Sequence, residues 1–213
     1  MDNILIGIIA KENILDDTPS YIVSKSNLKY LHNKCNYIGI LNYDNNEINK
    51  DLLSICDGII IPGGTNIYPY HFLILDYAIE NNIPLLGICM GHQIIGLYSN
   101  GSTSDEDLIK VEGHNDKDKL HTIKIIPNSF INKALGDTIK VNTRHSYKVK
   151  EVLPPFKETS LSEDNVIESI EYIDDNHFIV GVQFHPEDMN NTENLYNLFI
   201  KEILKRKKEK QKI

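Results

Sequence analysis

Gly87-Ile88-Cys89-Met90-Gly91-His92-Gln93 is the stretch whose reading decides the fold. An apolar run, Ile83-Pro84-Leu85-Leu86, precedes it and reads as a buried strand. Ile94-Ile95-Gly96-Leu97 follows and reads as the buried side of a helix. A cysteine at a sharp strand-to-helix turn, with glycine two positions away on each side, is a nucleophile-elbow pattern. The nucleophile of such a turn sits in a strained conformation, and strand and helix cross close on both sides. A side chain at position 87 or 91 would collide with that crossing. Cys89 then stands at a helix N-terminus, where free amides and the helix dipole favour a thiolate. Taken alone, the pattern fits a small buried residue equally well, since free cysteine is among the most buried types.

Outward from the elbow, short apolar strands alternate with helices. Ile4–Ile9, Tyr37–Leu41, Asp57–Ile61 and Leu85–Ile88 are the expected strands. Helices are expected over Pro19–Asn33, Ile48–Ile55 and Phe72–Glu80. This alternation implies a parallel sheet covered on both faces. In the second half His121–Ile126 and Asp137–Val149 read as strands, with a helix near Ser129–Leu135 between them. Val166–Ile173 and His177–Phe184 form an expected antiparallel pair, joined through Asp174-Asp175-Asn176. Thr192–Lys205 reads as a closing helix, and Gly101–Asp107 and Glu151–Ser162 as polar loops. The fold class is therefore α/β, with an antiparallel elaboration in the second half and one domain over residues 1–213.

Composition narrows the function classes. The 213 residues are 41% apolar and 24% charged, as in an ordinary globule. Net charge is −8; the basic tail 205–213 carries +5, so residues 1–204 carry −13. An acidic body argues against a nucleic-acid partner. The tail reads as the solvated end of the last helix. No stretch reaches the length of a membrane span, and the N-terminus lacks the basic start of a signal peptide. Three widely spaced cysteines, Cys35, Cys56 and Cys89, give neither a disulfide framework nor a zinc motif. The expectation is a cytoplasmic protein.

Two further stretches carry chemistry. In Gly181-Val182-Gln183-Phe184-His185-Pro186-Glu187, His185 and Glu187 are two apart and share a face if the segment is extended. An activated cysteine needs a histidine base, and that base needs an orienting group. In Ile61-Pro62-Gly63-Gly64-Thr65-Asn66, two glycines at a strand's end let backbone N–H groups face a ligand. With the amide of Met90 this is what an oxyanion hole requires. Each stretch also has a plain reading, as a strand end or a turn. Gln93 lies one helical turn from Cys89 on the same face. His92 reads as a packed residue. His114 and His121, with Asp116 and Asp118 between them, read as a polar loop rather than a metal site.

Gly87-x-Cys89-x-Gly91-x-Gln93, followed by Gly181-Val-Gln-Phe-His185-Pro-Glu187, resembles the class I glutamine amidotransferases. The resemblance implies a flavodoxin-like, mostly parallel sheet flanked by helices and a Cys89–His185–Glu187 triad. It implies attack on a γ-carboxamide, a γ-glutamyl thioester and release of ammonia or an amine, with no cofactor or metal. Gly63-Gly64-Thr65-Asn66-Ile67-Tyr68-Pro69 is most similar to the γ-glutamyl hydrolase branch, which includes γ-glutamyl-γ-aminobutyrate hydrolases of the peptidase C26 type. The branch places Arg144, His145 and Tyr147 beside the substrate, with Gly63, Gly64, Met90 and Gln93. Asn66, Ser146 and Tyr147 depart from the branch pattern, and the segment after Tyr70 is shorter. The leading expectation is a hydrolase acting on a small γ-glutamyl amide. The alternative is a glutaminase subunit that feeds ammonia to a separate synthetase. A third reading is an inactive homologue that serves as a binding module. A homo-oligomer is left open.

Overall fold

The computed structural model describes residues 3–42, 44–174 and 176–210. The strands in chain order are β1 (Leu5–Ile9), β2 (Lys11–Leu15), β3 (Thr18–Ile22), β4 (Asn36–Ile40), β5 (Gly58–Ile61), β6 (Leu85–Ile88) and β7 (Ile109–Lys110). They continue as β8 (Asn115–Ile125), β9 (Thr138–Arg144), β10 (Tyr147–Lys148), β11 (Phe156–Ser162), β12 (Ile167–Tyr172) and β13 (Ile179–Val182). The helices are α1 (Lys50–Ser54), α2 (Pro69–Glu80), α3 (Met90–Ser99), α4 (Phe130–Leu135) and α5 (Glu193–Lys210).

Nine strands make one sheet in the order β4-β1-β5-β6-β13-β12-β11-β8-β9. The first five run parallel; β12, β11, β8 and β9 continue the sheet through antiparallel pairings. Side chains of a strand alternate between faces, and this splits the core in two. Ile6, Ile8, Ile60, Leu86, Ile88, Val180 and Val182 face Tyr196, Phe199 and Ile203 of α5. Ile9, Ile59, Ile61, Leu85 and Ile179 face Ile74 and Leu75 of α2 and Ile94 and Ile95 of α3. Strands buried on both faces explain the unbroken apolar runs of the first half.

The central strands β5, β6 and β13 are neighbours and parallel. Pro62-Gly63-Gly64, Cys89 and the His185-Pro186-Glu187 turn follow their C-terminal ends, so sheet order alone brings the three stretches to one edge.

Several expectations fail, among them the polar loop read from His114 to His121, most of which is β8. Pro19–Asn33 is not a helix. β2 and β3 form an exposed hairpin with Ile14 opposite Pro19, and a short 3₁₀ turn at Lys25–Leu28 follows. Asp16 and Asp17, at φ 47° and 61°, make its tight turn, as Asp tolerates. Glu151–Ser162 is not a loop throughout, because Phe156–Ser162 is β11, inside the sheet. Its polar look misleads: the hydroxyls of Thr159 and Ser160 lie 2.8 and 2.7 Å from that of Ser169 on β12. Asp137–Val149 is not one strand, because β9 stops at Arg144 and β10 turns away to pair with β7.

The closing helix extends to Lys210. Part of its basic tail is packed rather than solvated: Arg206 is buried, and Lys207 Nζ lies 2.8 Å from Asp57 Oδ2. Residues 211–213 of the tail and Asp175 of the β12–β13 joint lie outside the described residues. Among the described residues no helix is long and apolar enough to cross a membrane.

Candidate active site

The elbow is as tight as its glycines imply. Cys89 holds φ 51° and ψ −94°, outside the comfortable regions for a side-chain-bearing residue. A Cβ on Gly87 would lie 2.7 Å from the backbone of Gly91, and one on Gly91 would lie 2.3 Å from the carbonyl oxygen of Ile61. Both are closer than real Cβ contacts come, so the crossing of β6, α3 and β5 admits only glycine there. Cys89 N–H donates to the carbonyl of Val182 on β13 (2.8 Å), and Gln93 N–H to the carbonyl of Cys89 (3.0 Å). These bonds hold the strained residue in place.

The His185 imidazole stands beside Cys89, and the thiol is among the groups that set its basicity. Its Nδ1 lies 2.9 Å from Glu187 Oε1, on a carboxylate that is 5% exposed. Burial opposes the imidazolium, but hydrogen bonds to Cys89 and Glu187, with the negative charge on both, raise His185 from its ordinary 6.5 to about 9. Protonated His185 therefore stabilises the folded chain fully below pH 6.5, and that contribution is lost as pH rises through about 9. Gly63 leaves room for the ring: a Cβ there would sit 2.7 Å from His185 Cε1. A Cβ on Gly64 would likewise lie 2.8 Å from the Met90 sulfur.

The cysteine opens into a cavity of about 540 Å³. Gly64, Met90, Gln93, Arg144, His145 and Tyr147 all line it, and so do Asp105 and Glu106. Gly63, His185 and Glu187, also proposed from sequence, are not among its lining residues, and three of those that line it are engaged elsewhere. Gln93 Nε2 donates to the carbonyl of Tyr147 (2.9 Å), tying the rim to the elbow helix. Arg144 is paired with Asp188. His145 is buried, with Nδ1 3.0 Å from the carbonyl of Tyr147. His92 is packed: it is fully buried, and burial pushes it down to about 3. Tyr68 and His71 cap α2, and Tyr70 is buried behind them.

Sequence reasoning missed two residues. Asn142 clamps the His185 backbone: its Nδ2 donates to the His185 carbonyl and its Oδ1 accepts from the His185 N–H, both at 2.8 Å. Gln183 Nε2 lies 3.6 Å from Cys89 Sγ. Gln183 stands inside a quoted stretch and Asn142 inside an expected strand, but nothing in their spacing marks an amide partner across the sheet.

The hydrogen bond from His185 to Glu187 has a measurable consequence. Loss of the imidazolium proton should end activity on the alkaline side, with a limb in kcat/KM near pH 9. Glu187→Gln removes one of the two groups that raise His185, so the limb should move toward neutral pH. A pH–rate profile in which the limb of Glu187→Gln matches wild type would assign the orientation of His185 to another group.

Comparisons with known proteins bear on the family and the fold. The model of the glutamine amidotransferase class-I family matches residues 21–203. Protein NtpR of Enterococcus hirae is 29% identical over 179 residues, covering 69% of this chain and 75% of that protein. The CTP synthase of Buchnera aphidicola is 32% identical over 256 residues, covering 98% of this chain but 46% of the synthase. The glutamine-hydrolyzing GMP synthase subunit of Thermococcus kodakarensis is 34% identical over 132 residues, or 61% and 65% of the two chains. Among solved structures, a Thermoplasma acidophilum protein assigned as a GMP synthase subunit superposes with a TM-score of 0.74 at 18% identity, over 99% of both chains. The Trypanosoma brucei CTPS glutaminase domain gives 0.67 at 17%, over 95% of this chain and 94% of that one. Those two likenesses show the α/β fold; the family match, which takes in the elbow and the His185–Glu187 turn together, shows that this chain belongs to the class-I glutamine amidotransferases.

Proposed function

We propose that this protein is a glutaminase that hydrolyses the amide of glutamine and supplies ammonia to a separate synthetase. The observation that carries the chemistry is the chain of contacts Cys89–His185–Glu187, with Cys89 opening into the cavity. The intact triad geometry also counts against an inactive binding module. The relatives that bear synthase names favour the glutaminase alternative over the leading expectation from sequence, a free γ-glutamyl hydrolase.

Cys89 Sγ attacks the γ-carboxamide carbon. The oxyanion that forms faces Met90, which opens α3; first-turn amides have no acceptor within their own helix. The Gly64 amide is the second donor. His185, already favoured in its protonated form, passes its proton to the leaving nitrogen. Ammonia departs and a γ-glutamyl thioester remains on Cys89. His185 then takes a proton from water, which cleaves the thioester to glutamate and free thiol. Glu187 keeps the imidazole oriented through both halves. Asp105 and Glu106 supply negative charge suited to the substrate's ammonium group.

One observation favours the γ-glutamyl hydrolase reading. A cavity of about 540 Å³ has room for a substituent on the amide nitrogen. The comparison that separates the two is kcat/KM for glutamine and for a panel of γ-glutamyl amines. The glutaminase reading expects glutamine to lead by about tenfold or more, since a misfitting substituent that leaves a polar group unpaired costs at least that order. A tenfold lead for a γ-glutamyl amine would return the protein to the hydrolase branch.

A further inference from the structure

Behind the cavity rim the antiparallel half gathers side chains that the proposed reaction does not use. His114 precedes β8, His121 lies on β8, His145 follows β9, and Glu168 lies on β12. His114, His145 and Glu168 are all buried, Glu168 completely. Neither Glu168 oxygen meets a donor in good hydrogen-bond geometry.

The outer partners fix the tautomers. His145 Nδ1 faces the Tyr147 carbonyl at 3.0 Å, and a carbonyl only accepts, so Nδ1 carries the hydrogen. His114 Nε2 faces the Asp164 carboxylate at 2.9 Å, so Nε2 carries the hydrogen. Both inward nitrogens are then lone pairs. They lie 3.2 Å apart, and each is 3.7 Å from Glu168 Oε1. Three acceptors converging on one point repel unless a cation sits among them.

The spacing suits a metal. Ligands held about 2.0–2.2 Å from a tetrahedral zinc stand roughly 3.3–3.5 Å from one another. Imidazole nitrogen with one carboxylate is a donor set for Zn²⁺ and its neighbours in the first transition row. A ligating histidine that passes its other N–H to a carboxylate or carbonyl is the usual supporting arrangement, and both histidines do so here. His121 Nε2 lies 3.2 Å from the same Glu168 oxygen.

We propose that His114, His145 and Glu168 bind a divalent transition metal of the Zn²⁺ class. The ion would pin His145, whose partner Tyr147 is tied to Gln93 on the elbow helix. The sequence reading expected no metal. It set His114 and His121 against Asp116 and Asp118, which are exposed, and did not see Glu168, more than forty residues away in the chain.

A cysteine thiolate can itself ligate zinc, so the test uses the full chain carrying Cys89→Ala, stripped with chelator. Calorimetric titration with ZnCl₂ alone should show one site per chain. Co²⁺ in its place should give the visible absorption of a four-coordinate ion. Adding Glu168→Gln should weaken binding at least about tenfold. Should that variant fail to fold, Asp164→Asn keeps the proposal open to refutation. Its carboxylate is half exposed, and loss of such a support weakens metal binding about 10–100-fold. Absence of a one-to-one site, or unchanged affinity in Asp164→Asn and in a folded Glu168→Gln, would mean that a proton alone joins the three acceptors, and would overturn the proposal.

Discussion

Cys89→Ser should lose at least about 10³-fold in turnover while the chain stays folded. Oxygen fits where sulfur was, and the strained backbone is no worse for serine than for cysteine. What changes is acidity. His185 gains much of its raised basicity from the charge and hydrogen bond of Cys89. A serine hydroxyl does not ionise beside it, so the nucleophile stays a neutral alcohol. The check is ammonia release from glutamine, with a thermal melt to show that the fold survives. Activity within tenfold of wild type would exclude a covalent thiolate mechanism.

Gly91→Ala should cost the most stability of any single methyl addition at the elbow, about 3 kcal/mol. The added carbon would meet the Ile61 carbonyl oxygen at 2.3 Å. That oxygen belongs to the central strand β5, which cannot retreat without moving Gly63 and Gly64. Gly39→Ala is the control. Its nearest neighbour is Val23 Cγ2 at 3.4 Å, an ordinary contact, so its cost should stay near that of a surface change, about 0.5 kcal/mol. Denaturant melts of the two variants decide it. Equal midpoints would mean that the crossing has slack, and that the glycines serve something other than close approach.

Much of this site could be read in the sequence because its pieces are local. Gly87, Cys89 and Gly91 declare a tight turn within five residues, and His185 and Glu187 declare a pair within three. Unbroken apolar runs such as Ile59–Ile61 announced the buried parallel strands. What stayed hidden depends on contacts between distant elements. Thr159, Ser160 and Ser169 satisfy one another across two strands, so β11 looked like a loop. Pro19–Asn33 was expected to be a helix, but Pro19 pairs with Ile14 across a hairpin instead. Asn142 on β9 reaches His185 although three strands separate β9 from β13 in the sheet. Glu168 meets three histidines that no sequence interval connects.

The central claim is that Cys89 is a nucleophile directed at glutamine. The most direct measurement is covalent labelling by a glutamine analogue that carries an electrophilic carbon in place of the amide, read by peptide mass spectrometry. One adduct is predicted, on Cys89, formed more slowly when glutamine is present and at least about tenfold more slowly in His185→Ala. Labelling spread over Cys35 and Cys56, or a Cys89 adduct indifferent to glutamine and to His185, would contradict it.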